Sequence, residues 1–313
     1  MTVADSSRLK REILLRSMFP SMPLSAHARF TEVLEDVDTA PGELLFDVGD
    51  APDRLFFLIE GRVTMQREGQ APWLFAPLAV VGVIDAVLER QRTRNCRALE
   101  PSRFLAVRIT DWFDMLEDNG QVARGAIRNF ATQLHRRWHN VAPRLERLSG
   151  PPLRAGAGLG PLETYDKILA LRGAASLRSA GMQAIASLAT VAEPVALKQG
   201  EVLFGRGAAG EDLHFVVRGE IELTDDADFR YLHRRGDLVG AAAALCHALP
   251  SYAARASSDC LVLRIAEQDF YDQAEEHGRL TRGTLKYLVS ELEQLLELDD
   301  TQQPSADQVS PGA

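Results

Sequence analysis

The residue types that most often carry chemistry, histidine and cysteine, are few and dispersed in this sequence of 313 residues. His214, His233 and His247 stand apart from one another, and the sequence has no H-x-H pair of the kind that holds a metal ion. It also has no G-x-S-x-G motif, no phosphate-binding P-loop and no C-x-x-C pair. The sequence therefore predicts no metal site, no catalytic centre and no enzyme activity.

Composition and charge argue against two further classes of protein. Hydrophobic residues make up 46% of the chain and charged residues 25%, which is typical of a globular protein. The formal net charge of −9 argues against broad nucleic-acid binding, which favours basic surfaces. No apolar run approaches the ~20 residues that a membrane-spanning helix needs, so we expect no membrane association.

The cysteines and the first residues of the sequence bear on the cellular compartment. The charged residues Arg8, Lys10 and Arg11 interrupt any apolar core of a signal peptide. An odd number of cysteines, without paired spacing and without such a signal, is typical of a reducing compartment, so we expect a cytoplasmic protein. The cysteines are Cys96, Cys246 and Cys260.

An internal repeat shows how the sequence is divided into domains. Residues 40–65 recur as residues 198–223, and the offset of 158 residues holds without a gap. A repeat of this length indicates two copies of one domain. The matched pairs include Gly42 with Gly200, Phe46 with Phe204, Gly49 with Gly207, Leu55 with Leu213, Phe57 with Phe215, and Gly61 with Gly219.

Each copy contains short apolar runs bounded by glycine, aspartate and proline. In the first copy they cover residues 44–46 and 55–59, and a third begins at Val63. Such runs predict β-strands joined by tight turns, and Gly49 and Gly61 stand where a turn would need a positive φ. Several strands at this spacing predict a barrel or jelly roll. A purely structural hairpin repeat would explain the same residues.

The order G-E-x-L-F-x-x-G, followed by a strand and x-G-x-V, resembles the cyclic nucleotide-binding domain family. That family includes the catabolite activator proteins and the regulatory subunits of protein kinase A. The resemblance spans roughly residues 12–148 and 165–298. It implies a mainly β fold with flanking helices, consisting of two tandem eight-stranded β-rolls of the jelly-roll type. It also implies a regulatory protein whose nucleotide lies against a short phosphate-binding cassette.

The first cassette falls at Val80–Leu99. In nucleotide-binding relatives this segment resembles G-E-L-A-L followed by P-R-A/S-A, where the glutamate binds the ribose hydroxyl and the arginine pairs with the cyclic phosphate. Here Gly82 matches the glycine, whereas Val83 replaces the glutamate. Arg92 matches the arginine and Thr93 follows it. The resemblance therefore implies a pocket that keeps the phosphate partner and loses the ribose partner.

Arg92 has a second interpretation. It lies in a run with Arg90, Arg94 and Arg97, and a basic run is more often a solvated surface than a binding site. The sequence alone leaves both interpretations open: a buried arginine that faces a phosphate, or one of several exposed arginines.

The second cassette falls at Leu238–Ala256 and departs further from the family. Gly240 matches the glycine, but Ala241 stands at the glutamate position. Pro250 stands at the arginine position, followed by Ser251. Both chemical anchors are absent, and four consecutive alanines add no hydrogen-bonding side chain. We predict a degenerate second pocket that is collapsed or apolar.

The repeat and a stretch rich in Pro and Gly divide the chain. We predict a first domain at residues 1–149, a linker at 150–161, a second domain at 162–298 and a disordered tail at 299–313. Many bacterial relatives carry a DNA-reading helix-turn-helix after the roll. This sequence has room for only one helix there, at residues 280–298, so we again expect no nucleic-acid partner.

Two predicted helices leave alternatives open. Trp138 lies in the helix that the family uses as a hinge, where it could cover a purine or serve as a core or interface aromatic. The last helix carries leucines at three- and four-residue steps, which could pair with a second copy in a homodimer or pack on their own roll. These leucines are Leu285, Leu288, Leu292 and Leu295.

Two functions remain open at this point. The first is non-enzymatic regulation in signalling, in which the first domain weakly senses cyclic AMP or cyclic GMP. The second is a ligand-independent scaffold or assembly protein, built from two domains whose pockets no longer bind. Both predict a protein partner and no cofactor other than the nucleotide itself.

Overall fold

The computed structural model describes residues 24–145, 162–208, 210, 212–225 and 230–299. Each copy of the repeat folds into eight antiparallel strands, with helices before, among and after them. The prediction of a mainly β fold with two tandem rolls is therefore confirmed.

The first roll consists of two four-stranded sheets. Its strands are β1 (Glu35–Thr39), β2 (Leu44–Phe46), β3 (Arg54–Glu60), β4 (Val63–Gln66), β5 (Trp73–Phe75), β6 (Val80–Val81), β7 (Asn95–Ala98) and β8 (Ser102–Arg108). The strand orders are β1-β8-β3-β6 and β2-β7-β4-β5. Strands β3 and β8 place Leu55 opposite Val107 and Phe57 opposite Leu105. All four side chains are buried, and they form the centre of the core.

The turn between β3 and β4 requires a glycine. Gly61 has a φ of 91°, which residues with a Cβ rarely adopt. A Cβ at this position would also lie 2.3 Å from Oγ of Ser102 and 2.6 Å from the carbonyl oxygen of Pro101. Gly219 occupies the same turn of the second copy with a φ of 78°. The glycine that recurs at this turn in both copies is therefore required for steric reasons.

The second roll repeats this arrangement. Its strands are β9 (Glu193–Leu197), β10 (Val202–Phe204), β11 (Asp212–Arg218), β12 (Ile221–Thr224), β13 (Arg230–His233), β14 (Leu238–Val239), β15 (Ala253–Ala256) and β16 (Cys260–Ala266). The strand orders are β9-β16-β11-β14 and β10-β15-β12-β13. Seven of the eight strands begin 158 residues after their counterparts in the first roll, so the spacing of the sequence repeat is also the spacing of the folded elements.

The helices follow the same spacing. In the first copy they are α1 (Leu24–Val33), α2 (Val83–Val87), α3 (Ile109–Asp118) and α4 (Gly120–Leu145). The second copy begins with α5 (Thr164–Arg172), which precedes α6 (Met182–Val191), α7 (Ala241–Leu245), α8 (Glu267–Glu276) and α9 (Gly278–Asp299). Helix α2 and helix α7 lie within the two cassettes, directly after the glycine that opens each of them.

The chain divides into two compact units within its two long helices. One unit holds the described residues up to Asn129 together with those from Leu296 onwards, and the other runs from Phe130 to Leu295. The unit with the second roll therefore includes the later part of α4. The predicted linker and the tail beyond residue 299 lie outside the described residues, so the predicted domain bounds stay a prediction.

The leucine stripe of α9 is covered within the chain. All four of its leucines are buried, as are Val289 and Leu296 beside them. The stripe therefore behaves as the packing alternative predicts, because side chains that are already covered do not offer a seam to a second copy. A homodimer stays a prediction, with no surface assigned to it.

Candidate functional site

The first cassette is opened by Gly82, as the resemblance implies. Gly82 has a φ of 79° and precedes α2, which begins at Val83. A Cβ on Gly82 would lie 2.6 Å from Nη1 of Arg92. The glycine is thus required twice: for the left-handed backbone and for the close approach of the arginine.

Arg92 is buried, with 2% of its surface exposed. Its guanidinium donates hydrogen bonds to the carbonyl oxygens of Gly82 and Arg54, the latter at 2.6 Å. The guanidinium carbon lies 4.3 Å from the centre of the Phe46 ring. Burial lowers the pKa of Arg92, and the nearby charge of Asp85 opposes that effect. The interpretation of Arg92 as a solvated arginine is therefore wrong.

A buried carboxylate that sequence reasoning missed organises the rest of this cassette. Asp85, on α2, is 2% exposed. It accepts hydrogen bonds from the backbone N–H of Thr93 at 3.1 Å and from the Thr93 hydroxyl at 3.0 Å. It also accepts one from Nε of Arg90 at 2.9 Å. An aspartate within an apolar helix needs such partners, and that is the signal that could have identified it.

Val83 offers no replacement for the missing carboxylate. Its side chain is half-buried and has no hydrogen-bonding atom. The nearest acid along the chain, Asp85, is already bonded to Thr93 and Arg90. Of the four predicted site residues, the structure brings Gly82 and Arg92 into direct contact and joins Thr93 to Asp85 instead.

A second buried arginine packs on an aromatic ring in the same roll. The guanidinium carbon of Arg94 lies 3.7 Å from the centre of the Trp73 ring, a cation–π geometry. Both side chains are buried. The members of the run of four arginines therefore differ in burial: Arg92 and Arg94 are buried, whereas Arg97 is exposed on β7. Sequence reasoning missed this pair, because a basic run does not show which members face inward.

The second cassette keeps the backbone of the first without its charged side chain. Gly240 has a φ of 83° and precedes Ala241, the first residue of the fully buried α7. The carbonyl oxygen of Pro250 accepts a hydrogen bond from the N–H of Gly207 at 2.8 Å, as that of Arg92 does from Gly49 at 2.9 Å. Pro250 is buried and Ser251 is half-buried. The two cassettes thus differ in side chains rather than in backbone.

Aromatic side chains cover the second cassette. Tyr252 follows Ser251 directly, and its ring centre lies 5.9 Å from that of Trp138 and 6.0 Å from that of Phe204. Trp138 also meets Tyr231 edge to face, with ring centres 5.3 Å apart. Trp138 is only 8% exposed. It therefore agrees with the core alternative, and it belongs to the unit that contains the second roll.

Ionisable groups accompany these aromatic rings. Burial, and then the charge of Asp237, raise the pKa of Glu291 on α9 to about 7. Burial lowers the pKa of His233 to about 4, although its Nδ1 lies 3.8 Å from Oδ2 of Asp237. Burial also raises the pKa of Tyr231 to about 12, with Glu291 as the next contributor. Burial therefore favours the neutral forms of Glu291, His233 and Tyr231.

Among residues 24–145 and the described part of 162–299, no group of three or more His, Cys, Asp or Glu side chains could hold a metal ion. In the same part of the chain, no helix is long and apolar enough to span a membrane.

The rolls and their cassettes define a class of regulatory domain, and the sequence comparison identifies it. The sequence model of the cyclic nucleotide-binding domain matches residues 37–119 and 194–277, which together make up more than half of the chain. This chain belongs to the cyclic nucleotide-binding domain family, with two tandem copies of the domain. Members of this family are regulatory rather than catalytic.

Solved structures give further points of similarity. The regulatory domain of Toxoplasma gondii protein kinase A, crystallised with cAMP, is 12% identical over 93% of this chain and 97% of its own, with a TM-score of 0.35. The regulatory subunit of a cAMP-independent protein kinase A from Trypanosoma brucei is 12% identical over 96% and 91%, with a TM-score of 0.32. The N-terminal domain of a transcriptional regulator from Streptomyces coelicolor is 24% identical over 36% and 85%, with a TM-score of 0.32. No curated protein matches the chain.

Proposed function

We propose that this chain is a non-enzymatic regulatory protein that acts through a protein partner, independently of any nucleotide. The observation that carries this proposal is the engagement of Arg92. Its guanidinium already donates to the carbonyl oxygens of Gly82 and Arg54 and stacks on Phe46. A phosphate that bound both Nη atoms of Arg92 would displace these partners and leave the two carbonyl groups without hydrogen bonds, at a cost of about 1–3 kcal/mol each.

The other side chains of the first cassette support the same proposal. The hydroxyl of Thr93 donates to Asp85 rather than facing outward as a free donor. A phosphate near Asp85 would also meet a carboxylate of the same sign of charge, which disfavours anion binding. Val83 supplies nothing that could offset these costs.

The second cassette contributes no alternative site. Helix α7 offers only alanine and leucine side chains, and Pro250 replaces the arginine. A cyclic nucleotide there would find backbone groups but no charged partner for its phosphate. We therefore regard both rolls as scaffolds for protein contacts. The three cysteines, all among the described residues, are not joined in disulfides and two of them are buried, which is consistent with the cytoplasmic location that we propose.

Weak nucleotide sensing by the first roll is the second candidate, and one observation favours it. The Nε of Arg92 is buried and has no hydrogen-bond partner in the described structure. One N–H donor of the Arg92 guanidinium is therefore available to an anion that reaches the cassette. In this candidate, cyclic AMP or cyclic GMP would compete with the carbonyl of Arg54 for the guanidinium.

Calorimetry on the full chain separates the two candidates. We expect no binding heat from cyclic AMP or cyclic GMP up to millimolar concentration. We also expect Arg92→Ala to lower the stability of the fold by about 2 kcal/mol, since it frees two carbonyl groups. Arg97→Ala is the matched control, because Arg97 is an exposed arginine of the same run. Nucleotide binding that Arg92→Ala abolishes and Arg97→Ala retains would refute the proposal and establish the sensor.

A further inference from the structure

The two rolls differ in what packs beside their cassettes. Tyr231 and Tyr252 of the second roll stand 158 residues after Trp73 and Arg94 of the first. In the first roll, Arg94 packs directly on Trp73. In the second roll, both tyrosines contact a third ring, that of Trp138. Three aromatic rings therefore meet in the second roll at the positions where the first roll pairs Arg94 with Trp73.

The contacts of Trp138 lead step by step to the cassette itself. Tyr252, which Trp138 contacts, packs against Phe204. Phe204 in turn reaches the opening glycine, since a Cβ on Gly240 would lie 3.4 Å from the edge of the Phe204 ring. A continuous row of rings thus joins Trp138 on α4 to the start of the second cassette.

Trp138 comes from α4 of the first copy and not from α9, the corresponding helix of the second copy. Trp138 belongs to α4, which follows the first roll along the chain, yet it packs with Tyr231 and Tyr252 of the second roll. Its counterpart by the 158-residue offset is Leu296, which has no ring. The bulky aromatic is therefore a feature of α4 and not a general part of the repeat.

We propose that Trp138 is a built-in occupant of the second roll, which covers the second cassette in place of a separate ligand. A ring that the chain itself carries does not lose free translation when it binds, so it outcompetes a free ligand that has no charged anchor. Aromatic pairs of this geometry add stability beyond the area they bury. Trp138 also fastens the later part of α4 to the second roll.

This inference does not depend on the proposed function, because it concerns the second cassette alone. Nucleotide sensing by the first roll would leave it unchanged. Conversely, loss of the Trp138 contact would not restore a phosphate partner, since Pro250 stands at the position of Arg92.

Hydrogen exchange on the full chain tests the proposal through two substitutions of Trp138. Trp138→Leu installs the residue of the second copy, and Trp138→Phe keeps a smaller ring. We expect amide exchange in α7 and at Tyr252 to rise at least tenfold in Trp138→Leu and by a smaller factor in Trp138→Phe. Trp112→Leu is the matched control, because Trp112 is likewise a buried tryptophan and lies on α3. It should leave the second cassette unchanged relative to the parent.

A second experiment uses indole as the probe. In Trp138→Ala we expect added indole to bind, to slow exchange in α7 again and to shift the NMR signals of Tyr231 and Tyr252. If both Trp138→Leu and Trp138→Phe exchange at the second cassette as slowly as the parent, the proposal is overturned. So would indole that binds Trp138→Ala without affecting either tyrosine. If Trp138→Leu does not fold and Trp138→Phe exchanges like the parent, Trp138 is an ordinary core residue and the proposal is wrong.

Discussion

The carboxylate of Asp85 holds both the backbone N–H and the hydroxyl of Thr93, so one buried acid fixes the residue that follows the cassette arginine. The same carboxylate accepts a hydrogen bond from Nε of Arg90. The first cassette is therefore held together internally, because Asp85 of α2 bonds to residues five and eight positions further along the chain.

Removal of this acid should destabilise the first roll. We expect Asp85→Ala to lower the free energy of unfolding by about 2–3 kcal/mol, because it leaves the partly buried N–H and hydroxyl of Thr93 without their acceptor. Asp53→Ala is the control, since the Asp53 side chain is 73% exposed, and it should cost less than about 1 kcal/mol. Chemical denaturation measures both. A loss below about 1 kcal/mol for Asp85→Ala would contradict the role assigned to it.

Gly82 and Gly69 form a matched pair for a test of the arginine contact. Both have a positive φ, of 79° and 77°, so an alanine strains the backbone of each by about 1–2 kcal/mol. Only at Gly82 does the added Cβ meet the Arg92 guanidinium, while nothing lies within 4 Å at Gly69. We expect Gly82→Ala to cost about 1–3 kcal/mol more than Gly69→Ala in denaturant unfolding. Equal costs would mean that Arg92 moves away freely.

Glu291 should make stability depend on pH. Its pKa is raised from 4.5 to about 7 in the folded state, so folding binds a proton, and the stabilisation that this gives is lost as pH rises towards and through 7. Glu291→Gln lacks this loss. We therefore expect the variant to gain about 2 kcal/mol relative to the parent between pH 5 and pH 8. Thermal or denaturant unfolding across that range measures the difference, with Glu275→Gln, an exposed glutamate of α8, as control. A pH-independent difference would be inconsistent with a buried Glu291.

His233 should act in the opposite direction. Burial lowers its pKa from 6.5 to about 4, so its contribution is present above pH 6.5 and is lost as pH falls towards and through 4. Between pH 4.5 and 6 the unfolded parent binds about one more proton than the folded parent, so its stability falls by ~1.4 kcal/mol per pH unit. We expect His233→Gln to lack this part of the pH dependence. NMR titration of the parent provides a direct check. A His233 signal that titrates near pH 6.5 would show that the imidazole is solvated.

Restoring the missing glutamate should not create a nucleotide site. In Val83→Glu the new carboxylate could accept a ribose hydroxyl, but Arg92 would still be bonded to Gly82 and Arg54. We therefore expect calorimetry with cyclic AMP to detect no binding by Val83→Glu or by its uncharged control, Val83→Gln. An affinity that improves tenfold or more in the glutamate variant alone would favour the sensor instead.

Part of this arrangement follows from local chemistry and was predictable. The glycines at 61 and 219 are needed for steric reasons, and short apolar runs such as 55–59 form strands because their side chains must be buried. Glycines at 82 and 240 likewise open both cassettes, as the resemblance implied. The position of Arg92 in the cassette was also visible, but its contacts were not. A run of four arginines looks the same whether its members face water or a ring.

The sequence by itself determined the two copies of the domain, their family and the loss of the second cassette's charged anchors, because these depend on residue identities at fixed spacing. Only the tertiary structure decided what those residues contact. Asp85 meets Thr93 eight positions away, Arg94 meets Trp73 on another strand, and Trp138 meets Tyr252 across more than a hundred residues. Such partners are set by how the strands, helices and loops pack in three dimensions, and no local pattern of residue types encodes them.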